Sequence, residues 1–225
     1  MTRIDTAFLF DLDGTLVDSV YQHVLAWQEA LESEGIALSV WRIHRKIGMS
    51  GGLFTNILLR ETGLEISQDR QDRLRQRHAE AYKRLSAAVR PLPGARELLA
   101  YLTDTGSRWA IATSGRMETA RPTLEALGVD PDRTPVVTRD LVKYAKPDPD
   151  LFLAAAERLG VGIETAVVVG DSIWDMLAAQ RARALGVGLL SGGYGQDELE
   201  RAGAFRVYED PADLLRHIDE VGGRH

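Results

Sequence analysis

Short apolar runs that stop abruptly at an acid, a hydroxyl or a glycine recur along this chain, and they constrain its fold more than any other feature. The run from Ala7 to Phe10 stops at Asp11, with Gly14 and Thr15 close behind. Trp109 to Ala112 precedes Thr113, and Ala166 to Val169 precedes Gly170 and Asp171. Pro135 to Thr138 and Gly186 to Leu190 read the same way. Such runs suit strands buried on both faces, with turn chemistry at their ends. Helical stretches separate them: Pro93 to Asp104, Met117 to Leu127, Asp150 to Leu159 and Trp174 to Ala184. The alternation predicts an α/β fold with a doubly wound parallel-sheet core, where ligands bind at the carboxyl ends of the strands. The acids and hydroxyls sit at those ends.

From about Asp18 to Ala88 the alternation stops. Val20, Val24, Trp27 and Leu31 repeat at helical spacing, with Ser19 as the expected N-cap and Gly35 near the stop. Further helices are expected over Gly52 to Glu61 and Asp69 to Leu85, and Pro91 and Pro93 mark the return to the core. The expected plan is a Rossmann-like catalytic core from residues 1-17 and 89-225, with residues 18-88 as a helical cap over the first strand's carboxyl end.

A chain of 225 residues buries enough surface to need neither disulfides nor structural metals. With no cysteine, a nucleophile must be oxygen or nitrogen, and a reducing compartment fits. The net charge of -6 argues against nucleic acid or an anionic membrane as the main partner. No apolar run is long enough to span a bilayer, and Arg3 and Asp5 precede the first short one, so a soluble, cytoplasmic protein is expected. Nothing in the pattern specifies an oligomeric state.

Asp11 and Asp13 stand two residues apart at a strand end, so continued extension points both side chains the same way. One carboxylate can attack a phosphoryl group while a second protonates the leaving oxygen and later activates water. A strand-to-turn sequence also uses Asp and Gly, and that plainer reading stays open. Asp171 and Asp175, four residues apart after another strand, offer the hard oxygen ligands that Mg²⁺ takes; equally, they could cap and charge a helix start. Thr113, Ser114 and Gly115 supply hydroxyls and backbone N–H groups at a helix start, either as a phosphate cradle or as an N-cap. Lys146, before a proline-stiffened turn, is either a solvated loop residue or an ammonium that balances phosphoryl charge.

The order of these motifs resembles the haloacid dehalogenase-like hydrolase superfamily over essentially the whole chain. Asp11-Leu-Asp13-Gly-Thr-Leu-Val looks like its first motif, Thr113 its second, Lys146 its third, and Gly170-Asp171 with Asp175 its fourth. The resemblance implies that Asp11 is the nucleophile and Asp13 the general acid/base. It implies Mg²⁺ held by Asp11, the Asp13 carbonyl and Asp171, with Asp175 supporting the site, and a phosphoryl group gripped by Thr113 and Lys146. The helical insert looks like the family's small alpha-helical cap class.

Within the superfamily, Asp13 is similar to phosphatases and phosphomutases rather than dehalogenases. His23 and Trp27 resemble a pair in beta-phosphoglucomutase-like proteins, although Trp27 also lies on the apolar stripe. Against a mutase, Gly51 stands where an arginine would anchor a second phosphate, and Gly170 where a second acid is usual. A phosphatase of a small phosphorylated metabolite, with the Gly170-Asp171-Ser172 form of the phosphoglycolate-type enzymes, is the expected function. A sugar phosphomutase and a non-catalytic phosphate-binding regulatory module are the alternatives. His23, Arg45 and Lys46 are the candidate cap residues for the substrate. Gly192, Gly193 and Gly195 lack GxGxxG spacing and read as a tight turn.

Overall fold

The structure, a computed structural model, describes residues 6–63 and 67–223. Arg3 and Asp5 lie outside the described residues. In chain order the first elements are β1 (Ala7–Phe10), β2 (Val17–Asp18), α1 (Val20–Ser33), α2 (Val40–His44), α3 (Gly51–Thr62), α4 (Gln68–Leu85) and β3 (Arg90–Pro91). Then come α5 (Ala95–Asp104), β4 (Trp109–Ala112), α6 (Met117–Leu127), β5 (Val136–Val137), α7 (Asp150–Leu159) and β6 (Ala166–Gly170). The chain continues through α8 (Ile173–Ala182), β7 (Leu185–Leu189), α9 (Gln196–Arg201), β8 (Ala204–Tyr208) and α10 (Pro211–Arg216).

Six strands form one sheet in the order β5-β4-β1-β6-β7-β8, and every neighbouring pair is parallel. The period-2 alternation of a strand explains why β1 carries no polar residue. Phe8 and Phe10 face a core shared with Leu98, Leu102, Leu124 and Leu214, while Ala7 and Leu9 face one shared with Leu151, Phe152 and Ala178. Helices therefore cover the sheet on both sides. A strand buried on both faces must be apolar throughout, and the acids appear only where the strands end. β8 has no counterpart among the expected strands. It is the sheet's edge, its Phe205 and Arg206 are exposed, and its pattern lacks the continuous apolar run of the inner strands.

Between β2 and β3 the chain contributes only helices, α1 to α4. The chain leaves the sheet and returns to it side by side, because β2 and β3 pair antiparallel through Val17 with Pro91 and Asp18 with Arg90. The helices share a core of their own, in which Val24, Trp27 and Leu31 of α1 meet Ile43, Phe54, Leu58 and Leu74. Ser19 stands at the N-cap position of α1, and its carbonyl accepts the first helical bond from the His23 N–H at 3.1 Å. Its side chain makes no cap bond, and the hydroxyl instead donates to Asp13 Oδ1 at 2.6 Å.

Candidate functional site

The carboxyl ends of β1, β4 and β6 meet at the centre of the sheet and deliver Asp11, Thr113 and Asp171. Asp11 is 3% exposed and sits against Lys146, which is fully buried and also lies 2.7 Å from Asp175 Oδ1. Asp175 is pinned by its second oxygen, which accepts from the backbone N–H of Ser172 at 3.1 Å and from the Ser172 hydroxyl. Ser172 is thus the residue that caps α8, with Asp175 completing the capping box. Asp171 Oδ1 accepts from Thr15 at 2.8 Å. Its other oxygen faces the backbone of Gly192, where any side chain would overlap it, since a Cβ would fall 1.7 Å away. The glycine turn after β7 accordingly makes room for a carboxylate rather than for a nucleotide.

The electrostatics follow from crowding three acids around one cation. Burial raises the Asp11 carboxyl to about 7, Lys146 opposes that, and Asp175 and Asp13 add to it. Asp171 is pushed well above the usual carboxylate range by burial and then by Asp175 and Asp11. Burial alone would depress Lys146, but Asp11 and Asp175 more than reverse the effect and keep it an ammonium. Oxygens of Asp11, Asp171 and Asp175 lie within 4.8 Å of one another. The cluster consists of hard oxygen donors and has an excess of negative charge, which fits a small divalent cation. The Asp13 side chain is not in that cluster.

Asp13 is committed elsewhere. Besides Ser19, its Oδ1 lies 3.3 Å from His23 Nε2. Burial would raise its carboxyl, yet His23 and then Ser19 hold it below the ordinary range. His23 is itself positioned by a ring stack on Tyr82 at 3.8 Å and a 3.2 Å contact from Nδ1 to His78 Nε2. Burial, then His23, keeps His78 neutral.

Asp11 and Asp13 line one wall of a cavity of about 370 Å³, together with Thr113, Ser114 and Gly115. Thr113 does not cap α6. Its hydroxyl accepts from the Gly115 N–H at 3.0 Å, while the Met117 N–H at the helix start donates to Asp140 at 2.9 Å. The Ser114 hydroxyl is buried with no hydrogen-bond partner among the described residues. An unpaired buried hydroxyl costs about 1–3 kcal/mol, which an acceptor entering the cavity would recover.

The helical insert supplies the opposite wall through His23, Trp27, Lys46, Phe54, Arg75 and His78. Trp27 is core and wall at once, stacked between Phe54 at 4.1 Å and His78 at 4.2 Å. Of the candidate substrate residues on the insert, His23 and Lys46 line the cavity and Arg45 does not. Arg45 pairs with Glu198 of α9 and lies over the Tyr194 ring at 4.2 Å, so it ties the insert to the sheet side. Its planar fork matches a carboxylate on the neighbouring element, and that contact takes the side chain away from the cavity.

Several wall residues escaped the sequence reading. His78 continues the inward stripe Leu74, Ala81 and Tyr82 of α4, and a histidine on that stripe was the available signal. Arg75 carries no such signal. Its stem lies beside Gly51, 3.8 Å from where a Cβ would stand, so a cation from another helix fills the space that Gly51 leaves open.

Residues 6–183 match the family model for haloacid dehalogenase-like hydrolase. A phosphoglycolate phosphatase from Rhodospirillum rubrum is 33% identical, covering 92% of this chain and 88% of its own. Hexitol phosphatase A from Escherichia coli is 36% identical over 73% of this chain and 74% of its own. Among solved structures, a hydrolase from Pseudomonas syringae is 59% identical with a TM-score of 0.96, covering 97% of this chain and 100% of the other.

Proposed function

Because the chain belongs to the haloacid dehalogenase-like hydrolase family, we propose that it is a Mg²⁺-dependent phosphatase that cleaves a small phosphomonoester through an aspartyl-phosphate on Asp11. It is a phosphoric monoester hydrolase, as its curated relatives are. What carries the finer reading is the sharing of one cavity by Asp11, Asp13 and the Thr113-Ser114-Gly115 loop, with Lys146 buried against Asp11.

Asp11 attacks phosphorus in line and the ester oxygen departs, taking a proton from Asp13. The approaching phosphate dianion favours the protonated form of Asp13 against the pull of His23. Asp13 then removes a proton from the water that attacks the aspartyl-phosphate, releasing inorganic phosphate and restoring Asp11. Lys146 balances charge on the phosphoryl oxygens, and the hydroxyls of Thr113 and Ser114 donate to them. Asp11, Asp171 and the Asp13 carbonyl would hold Mg²⁺, with Asp175 in support; when bound, the ion supplies Lewis-acid stabilisation of phosphoryl charge. The helices of residues 18-88 act as a cap that excludes bulk water during the reaction.

The mutase alternative is less well supported. A side chain at Gly170 would run into Asp175, whose Cβ lies 2.3 Å from the added atom, so a second acid has no room there. The absence of cysteine is consistent with a cytoplasmic setting. The test is phosphate release from 4-nitrophenyl phosphate, which should require Mg²⁺ and stop on chelation. Undiminished hydrolysis after verified metal removal contradicts the metal assignment. Tight phosphate binding without any turnover would instead identify a regulatory module.

A further inference from the structure

Most of the positive charge lining the cavity is already engaged by neighbouring acids. Lys46 Nζ lies 2.8 Å from Glu61, Arg75 pairs with Asp72, and Arg116 lies 3.1 Å from Asp140. Arg139 differs. It lines the same cavity and is part-buried, yet no carboxylate pairs with it among the described residues. Among the described residues its side chain makes one hydrogen bond, from Nη1 to the Val142 carbonyl at 2.6 Å. A guanidinium carries five N–H donors in a rigid fork, so most of its donors are left for whatever enters the cavity. The backbone beneath it is fixed, because the Arg139 N–H donates to Gly115 O at 2.9 Å and ties it to the hydroxyl loop.

Position in the sheet decides which part of a substrate Arg139 meets. Asp11 follows β1, Thr113 follows β4, and Arg139 stands just past β5, so two strand spacings separate it from Asp11. That is roughly 10 Å at the backbone, while the transferred phosphoryl group is already served by Lys146, Thr113 and Ser114. The group facing Arg139 therefore belongs to the leaving part of the ester. The planar fork favours a carboxylate. Trp27 and Phe54 add apolar surface of the kind that packs against the C–H face of a sugar, and the cavity of about 370 Å³ has room for one.

We propose that Arg139 recognises a carboxylate on the organic part of the substrate, and that the preferred substrates are phosphorylated sugar acids. The inference rests on the phosphatase reading above. It also separates this chain's preference from that of a hexitol phosphatase, whose named substrate class is neutral apart from its phosphate.

The experiment compares kcat/KM for 6-phosphogluconate and sorbitol 6-phosphate, which differ by a carboxylate against a hydroxymethyl group, with 4-nitrophenyl phosphate as the reference ester. The acid should be favoured by about 10- to 100-fold, the range of a charge-assisted hydrogen bond. Arg139→Gln should bring that ratio near one, chiefly through KM for the acid, and Arg139→Lys should keep part of it. Arg121→Gln, a surface cation paired with Asp132, controls for net charge and should leave the ratio unchanged. Should Arg139→Gln fail to fold, inhibition of wild-type 4-nitrophenyl phosphate turnover by gluconate against sorbitol gives the same decision: stronger inhibition by gluconate supports the inference, and equal inhibition overturns it. A wild-type ratio near one, or a preference that survives Arg139→Gln, overturns the inference and leaves the phosphatase reading standing. No phosphate release from any of the three esters removes that reading and this one together.

Discussion

The two walls of the cavity are built on different principles. On the sheet side Asp11 lines the cavity and Asp171, Asp175 and Lys146 lie behind it; each is at most 4% exposed and is held by a buried partner. On the insert side, Trp27, Phe54 and His78 stack as an aromatic surface, and the cations around them pair with acids that are 40% exposed at Glu61 and 59% at Asp72. Buried charges are costly unless paired and hydrogen-bonded, and here each has its partner, so the sheet side is a rigid charged cluster. The insert wall is held mainly by apolar packing, with Arg75 in a surface pair and Lys46 buried against the half-exposed Glu61. The cavity is thus bounded by a rigid cluster of paired charges on one side and by an aromatic surface on the other, with Arg139 past β5 at its edge.

The largest expected effect breaks the sheet wall. Asp11→Asn should keep the fold and reduce turnover to background, because an amide is a poor nucleophile and a weaker cation ligand. Steady-state release of phosphate checks it, and near-normal rates would remove the covalent mechanism. Asp13→Asn should slow both half-reactions by roughly 10²–10⁴, with the greatest loss on alkyl esters, whose leaving groups need the proton most. Equal losses on alkyl and 4-nitrophenyl esters would give Asp13 a lesser part.

Next comes the response to pH and metal. Burial raises Asp11 to about 7 and lifts Asp171 as well, so these groups hold protons more tightly folded than unfolded. Their contribution to the stability of the metal-free protein is present at low pH and is lost as pH rises from the ordinary carboxylate range through about 7. Mg²⁺ takes the place of those protons, so its stabilising effect should grow over the same interval. Thermal melts at about pH 5.5 and about pH 8, with and without Mg²⁺, should show the larger gain at the higher pH. A gain independent of pH would place the ion elsewhere.

The smallest effect lies where insert and sheet meet. Arg45 and Glu198 are 34% and 40% exposed, so a double-mutant cycle on Arg45→Ala and Glu198→Ala should give a coupling below about 1 kcal/mol. Neither change should alter the ratio of rates on anionic and neutral esters. A selective rise in KM for anionic substrates with Arg45→Ala would return that residue to the cavity wall.

The same contrast governs how much the sequence disclosed. The sheet side was legible because an inner parallel strand, buried on both faces, is apolar along its whole length, so the first polar residue after each run marks the strand end. Asp11, Thr113 and Asp171 were found that way, and β1, β4 and α6 fall where the spacing put them. Of the insert's helices, α1, α3 and α4 were legible, whereas the short α2 and the use made of the helix faces were not. Ser19 takes the cap position but spends its hydroxyl on Asp13, and Arg45 had the look of a substrate cation and instead holds Glu198. His78, Arg75 and Arg139 reach the cavity only through tertiary packing between elements far apart in the chain. The edge strand β8 was missed because it is half solvated and has no continuous apolar run to announce it.

The covalent role of Asp11 is tested most directly by trapping the enzyme during turnover. Acid quench within the first turnovers on a phosphomonoester with Mg²⁺, followed by peptide mass analysis, should find one phosphoryl group on the peptide containing Asp11, in an amount that decays once substrate is exhausted and is missing from Asp11→Asn. Active enzyme that never carries the label, with water attacking the substrate phosphorus directly, would contradict the account.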